Sequence, residues 1–184
     1  MSTQSSLRSD PPVPFPWSYW VVPAWLLAGE YPGDYDPPNE TYKLRRLIDA
    51  GIRQVISLMA PDEVDRPGKA DTPSYEPRLT ELAEQRGVSV AIRRFPVQDL
   101  GVPDPAQMRA VLDAIDEAIA RGNPVYVHCW GGVGRTGTVV GCYLIRHRMA
   151  NSEDVIEQIQ RLRTTDKKAH RLSPEKEIQR DFVR

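Results

Sequence analysis

The sequence predicts an α/β fold, a single domain with a mostly parallel central sheet flanked by helices on both faces. Three observations carry that prediction. Short apolar, β-branched runs alternate with stretches of helical periodicity, as βαβ units do. The run Val125-Tyr-Val-His128 leads through a glycine-rich segment straight into a long apolar helical stretch. A chain of 184 residues suffices for one domain with a sizeable core.

Each element follows from local pattern. Residues 1–16 are polar, then rich in proline (Pro11, Pro12, Pro14, Pro16), and read as a flexible or extended leader to a domain over 17–184. Trp17, Tyr19, Trp20 and Trp25 are expected to pack the end of that leader, and a short strand through Leu26 and Leu27, onto the domain. Residues 30–34 form a turn. A helix over 42–50 places Leu44, Leu47 and Ile48 on one side and stops at Gly51. Residues 53–59 read as a buried strand. A long charged loop covers 61–77, a helix runs over 76–86, and a strand covers 88–95. Asp104 followed by Pro105 is a helix start, aspartate capping and proline taking the first position. That helix reaches about Arg121 and buries Met108, Val111, Leu112, Ile115 and Ile119. The stretch 136–149 is apolar nearly all round, so it is the expected central helix. Ser152 is expected to cap a helix over 153–162, and Ser173-Pro174 to open the last one.

The chemistry concentrates in 125–137. Cys129 ends the strand, the loop Trp130-Gly131-Gly132-Val133-Gly134 follows, and Arg135 and Thr136 open the helix. Three glycines leave backbone N–H groups free to converge at a helix N-terminus, which is an anion site by geometry and dipole. Arg135 adds a planar fork suited to two phosphate oxygens. Cys129 sits at the floor of that nest, where positive potential favours its thiolate. An anion cradle with a nucleophile at its base implies phosphoryl transfer. By strand alternation His128 points away from Cys129 and is not its general base.

Cleaving a phosphate ester also needs a proton for the leaving oxygen, which neither Cys129 nor Arg135 supplies. Phe95-Pro-Val-Gln-Asp99-Leu-Gly-Val-Pro-Asp104 leaves a strand and offers two carboxylates, with Gly101 a hinge candidate. Asp104 is already explained as a helix cap, which favours Asp99 as the acid.

The spacing of His128-Cys129, five residues, then Arg135-Thr136-Gly137 resembles the signature of the cysteine-dependent protein tyrosine phosphatase superfamily. The interior Trp-Gly-Gly-Val-Gly is most similar to the small dual-specificity enzymes, especially the branch of the cyclin-dependent-kinase-associated phosphatase and its bacterial relatives. The resemblance extends from about Trp20 to the C-terminus, with sharp motifs only near 96–104 and 125–137. It implies a phosphatase (PTP-like) fold and a phosphocysteine intermediate with no cofactor. It implies Cys129 as nucleophile and Asp99 as general acid. The loop from Trp130 through Gly131, Gly132, Val133 and Gly134 to Arg135 would bind phosphate, and Thr136 would donate a hydrogen bond to the departing sulfur. His128 would support the loop. Gln179 on the final helix either positions the hydrolytic water or lies on a solvated face, and Trp130 either lines the pocket or packs beneath it.

The implied substrate is a phosphorylated protein or peptide carrying phosphotyrosine, with phosphoserine or phosphothreonine as an extension. An inositol-phosphate or other small-molecule phosphatase is the alternative, weakened by the lack of lysine or histidine between Cys129 and Arg135. A non-catalytic phosphate-binding module is a third reading, against which stand Cys129, Arg135 and the acid loop together. The basic stretch Arg161, Arg163, Lys167, Lys168, Arg171 is either solvated surface or a docking patch. A net charge of −1 argues against nucleic acid as a partner. No apolar run approaches a membrane span, and the N-terminus lacks an export pattern. Two cysteines with no metal-ligand spacing argue against a metal site or a disulfide, and a free thiolate suits the reduced cytoplasm. Cys142, further along the same helix, is expected in the core.

Overall fold

The computed structural model describes residues 11–63 and 74–184. Along the chain come β1 (Ser18–Val22), β2 (Leu26–Gly29), α1 (Pro37–Asp49), β3 (Gln54–Ser57), α2 (Glu76–Gln85) and β4 (Ala91–Arg94). There follow α3 (Pro105–Ala120), β5 (Val125–His128), α4 (Arg135–Arg146), α5 (Val155–Leu162) and α6 (Glu177–Val183), with 3-10 turns at Pro61–Glu63 and Arg163–Thr165. The strands form one sheet in the order β1-β2-β5-β3-β4. Every pairing is parallel except β1 with β2. The expected α/β sheet with helices on both faces is what the chain builds.

Side-chain alternation along β5 sorts the two halves of the core. Val125 and Val127 pack with Met108, Val111 and Ile115 of α3, Val139 and Val140 of α4 and Ile159 of α5. Tyr126 joins Leu44, Leu47 and Ile48 of α1 and Leu79 and Leu82 of α2 on the opposite face. Each such side chain, removed fully from water, contributes about 1.5–3 kcal/mol.

The differences from the sequence reading have local causes. β1 is an additional strand, running antiparallel along the edge, where aromatic residues were expected only to pack. α1 starts at Pro37 rather than Tyr42, because prolines tolerate the first turn, where N–H groups have no partner. Ser152 caps nothing. The Asn151 side chain accepts from the N–H groups of Glu153 and Asp154, and α5 starts later, at Val155. Asp104 does cap α3, accepting from Gln107 N–H at 2.8 Å. The leader is docked where it is described. Phe15 is buried, the Pro14 carbonyl accepts from Arg46 Nε at 3.1 Å, and the Pro12 carbonyl accepts from Trp20 Nε1 at 3.4 Å. Residues 1–10 of the expected leader, and most of the expected 61–77 loop, lie outside the described residues.

Register brings the functional loops together. Gly29, Ser57 and Arg94 stand level with His128 or one strand beyond it, so β2, β3, β4 and β5 all end on one edge. The segments after Gly29, Ser57, Arg94 and His128 therefore share a rim at the carboxyl ends of parallel strands, where open α/β sheets bind their ligands.

Candidate active site

The loop from Cys129 to Gly134 is held from outside. The Trp130 carbonyl accepts from Tyr31 N–H (3.0 Å), the Gly131 carbonyl from Lys168 Nζ (3.1 Å), and the Val133 carbonyl from the Ser173 hydroxyl (2.7 Å). The Cys129 carbonyl lies 3.1 Å from His128 Nδ1, and the Gly134 carbonyl accepts from Thr138 N–H at 2.9 Å. A trans peptide sets its N–H opposite its C=O. With these carbonyls tied outward, the N–H groups of Trp130, Gly131, Gly132, Gly134 and Arg135 turn into the hollow. That is the geometry of an anion cradle at a helix N-terminus.

One of the three glycines is required by space, and a second sits in a tight contact. Gly132 has φ +71°, and a Cβ there would stand 2.6 Å from the Gly29 carbonyl carbon. A Cβ on Gly134 would press on the Gln179 amide at 3.0 Å. Gly131 meets no such limit: nothing lies within 4 Å of the place a Cβ would take.

His128 is wholly buried and points away from the cradle. Its ring stacks on Tyr126 and meets Tyr75 and Tyr31 edge-on. Burial pulls its pKa down to about 3, so it is neutral at neutral pH. A carbonyl can only accept, so Nδ1 carries the proton to Cys129 and Nε2 accepts from the Tyr75 hydroxyl at 2.8 Å. The ring thus braces the start of the loop.

Arg135 is 2% exposed and its fork is anchored on one side. Nη1 donates to Glu63 Oε1 at 2.7 Å and to the Val97 carbonyl at 3.0 Å, while Nη2 donates to Glu63 Oε2 at 2.9 Å. Nη2 also lies 3.0 Å from Asp99 Oδ1. Burial works against the guanidinium charge, but the Glu63 hydrogen bonds and the Cys129 and Asp99 charges outweigh it, raising the pKa further. Asp99 itself is 42% exposed and accepts from Leu100 N–H at 3.1 Å, in a turn where Leu100 adopts φ +64°.

Asp99, Cys129, Arg135 and Gln179 line one pocket. The alternative of a solvated Gln179 is overturned by its complete burial: Nε2 donates to the Gly101 carbonyl at 3.0 Å, tying α6 to the acid loop. Trp130 answers both of its readings, lining the pocket and stacking on Tyr31 at 5.2 Å. The Thr136 hydroxyl has a single proton and directs it at the Gly29 carbonyl (3.4 Å) rather than at sulfur. The basic stretch is no continuous patch. Arg163 is buried on Asp166, Lys167 lies over the Trp17 ring, Lys168 meets the loop, and Arg171 reaches the pocket rim. Cys142 is partly buried in α4, its thiol pushed up to about 12 by burial. Among the described residues, no three His, Cys, Asp or Glu side chains are grouped as a metal site would need, and no helix is long and apolar enough to cross a membrane.

Solved structures share this architecture. The active form of Tk-PTP superposes with a TM-score of 0.66 at 20% identity, covering 92% of this chain and 95% of that one. Kinase associated phosphatase, with its catalytic-site cysteine replaced by serine, gives 0.65 at 19% identity over 86% and 83%. A family model described as PTP-SAK, the Swiss Army Knife protein DSP-PTPase phosphatase domain, matches residues 16–180. The chain belongs to this family. It is a cysteine-dependent phosphatase domain of the dual-specificity type. Among curated relatives of this PTP-SAK domain, phosphatidylglycerophosphate phosphatase PTPMT2 of Arabidopsis thaliana is 28% identical over 142 residues, 77% of this chain and 54% of that protein. Protein tyrosine phosphatase domain-containing protein 1 of Mus musculus is 32% identical over 117 residues, 59% of this chain and 15% of that protein. The chain spans about half the length of the first and far less of the second.

The residue that the sequence reading of this PTP-SAK domain missed is Glu63. It lay unmarked in a charged loop, although it follows β3, the strand beside β5. Parallel pairing alone places that loop next to the one after His128. Glu63→Gln removes the carboxylate from the anchored side of the buried guanidinium and leaves it the partly exposed Asp99 carboxylate and neutral carbonyls. Unfolding free energy should therefore fall by about 3 kcal/mol in urea denaturation, the low end for a broken buried pair. A loss under about 1 kcal/mol would show that the pair does not anchor Arg135.

Proposed function

We propose that this domain hydrolyses phosphotyrosine, and by extension phosphoserine and phosphothreonine, in proteins or peptides, through a phosphocysteine at Cys129. The observation that carries the reading is the convergence of Cys129, the inward loop amides, Arg135 and Asp99 on one pocket. The substrate phosphate lies in the cradle, two of its oxygens on Arg135. The Cys129 thiolate attacks phosphorus, a sulfur–phosphorus bond forms, and the ester oxygen–phosphorus bond breaks. Asp99 gives its proton to the leaving oxygen. Because the Asp99 carboxylate rests on Arg135 Nη2, an incoming phosphate competes for that N–H and frees Asp99 to serve as acid. In the second step water attacks phosphorus, Asp99 takes the proton back, and the thiolate departs. Gln179, held between Gly101 and α6, positions the water, and Thr136 turns its hydroxyl from Gly29 to the leaving sulfur. A reduced, cytoplasmic compartment would suit this chemistry.

A protein substrate is supported by the kinase associated phosphatase and by TpbA of P. aeruginosa, solved with phosphotyrosine, which shares the fold with a TM-score of 0.62 at 19% identity. A phospholipid phosphomonoester is the second reading, favoured by the PTPMT2 relative. Purified protein assayed on phosphotyrosine, phosphoserine and phosphothreonine peptides, phosphatidylglycerophosphate and inositol phosphates separates the two. The expected result is a kcat/KM at least tenfold higher on a phosphotyrosine peptide than on any lipid or inositol phosphate. The reverse order would replace this reading with the second.

A further inference from the structure

We propose that Lys168 is a positioning residue for phosphate, a strut that fixes the Gly131–Gly132 peptide from outside the cradle. The inference rests on the phosphate-cradle reading above and deepens it. A peptide between two glycines is the least constrained by its own side chains, so it can turn over more freely than any other in the loop. Turned over, it would aim the Gly131 carbonyl, rather than the Gly132 N–H, at a bound phosphate. The Lys168 ammonium opposes that turn by standing 3.1 Å from the Gly131 carbonyl on the outer side.

The strut is built rather than incidental. Lys168 Nζ is braced by Glu30 Oε2 at 2.7 Å, and Glu30 is itself paired with the buried Lys43. The Lys168 backbone is pinned at both ends of the residue. Its N–H donates to Asp166 Oδ1 at 2.9 Å, and its carbonyl accepts from Arg163 Nη2 at 2.8 Å. Arg163 and Asp166 form an ion pair with side-chain exposures of 0% and 4%. Such a pair contributes little net stability, and a role in fixing geometry accounts for its burial. Neighbouring Lys167 points elsewhere, its ammonium 4.4 Å over the Trp17 ring. Within the basic stretch that the sequence leaves as solvated surface or a docking patch, Lys168 thus acts on the loop itself.

The test is competitive inhibition by inorganic phosphate, with an aryl phosphate as reporter substrate. If Lys168→Met lets the peptide spend nine-tenths of its time turned over, the phosphate inhibition constant and KM should both rise about tenfold, in proportion to the lost competent fraction. The kcat should stay within about threefold, because bound substrate selects the competent loop. Lys168→Arg should restore phosphate affinity, and Lys167→Met should leave it unchanged. If Lys168→Met does not fold, Lys168→Ala, which removes the donor without setting an apolar chain beside Glu30, takes its place under the same criteria. An unchanged phosphate inhibition constant overturns the strut, whether or not the melting temperature falls. Weakened binding confined to acidic phosphopeptides also overturns it, in favour of a docking patch. Wild-type protein that binds no phosphate at all would overturn the phosphatase reading and the strut with it.

Discussion

Cys129→Ser is expected to lower turnover of an aryl phosphate by about four orders of magnitude or more, the scale seen when a catalytic nucleophile is removed. Inorganic phosphate should still bind within a few-fold of wild type, as titration calorimetry would measure. The reasons are local. In the proposed mechanism phosphate is held by loop amides and Arg135, none of which changes in the variant. A serine hydroxyl attacks phosphorus only with a base to take its proton. The adjacent His128 is no such base, since both ring nitrogens are engaged, by the Cys129 carbonyl and the Tyr75 hydroxyl. Cys142 offers no substitute, because burial keeps its thiol protonated and it sits in α4, outside the residues that line the pocket. Activity within about a hundredfold of wild type would remove Cys129 from the nucleophile's position.

Asp99→Asn is expected to lower kcat by about two orders of magnitude with a phosphotyrosine-like leaving group, the usual scale of general-acid help. With a leaving group acidic enough to depart unprotonated, such as a fluorinated phenol, the loss should shrink to a few-fold. Asparagine can still hydrogen-bond Leu100 N–H, so the turn survives and the missing proton is what is read. Asp104 is the internal control. Its carboxylate caps α3 through Gln107 N–H. Asp104→Asn should therefore keep both rate and stability, and Asp104→Ala should cost about 1 kcal/mol in denaturation. A leaving-group-dependent collapse in Asp104→Asn, with Asp99→Asn active, would exchange the two assignments.

Much of this was legible in the residues. Strand-and-helix alternation gave the parallel sheet, and one thirteen-residue stretch, from Val125 to Gly137, pointed to the loop between β5 and α4 and to Cys129 as its proposed nucleophile. Asp104 could be set apart from Asp99 because a helix cap has a pattern of its own. What stayed hidden depends on contacts between segments distant in the chain. Glu63 reaches Arg135 across 72 residues, Lys168 reaches Gly131 across 37, and Ser173 reaches Val133 across 40. No periodicity marks such partners. Only the register of β3 beside β5 could have pointed to the first, and the other two lie in irregular chain between α5 and α6. Ser173 shows the difference plainly: read as a helix opener, it lies four residues before α6 and spends its hydroxyl on the Val133 carbonyl in the loop after β5. Gly137 is the glycine that permits this, since a Cβ there would collide with the Ser173 Oγ.

The central claim is that phosphorus is carried transiently on sulfur. Rapid mixing of enzyme with an aryl phosphate, quenching during turnover, and peptide mass analysis test it directly. The account predicts a phosphate on the peptide containing Cys129, localised to its sulfur and absent from the Cys129→Ser protein. Phosphate recovered on another side chain, or none on the protein while turnover continues, would contradict it.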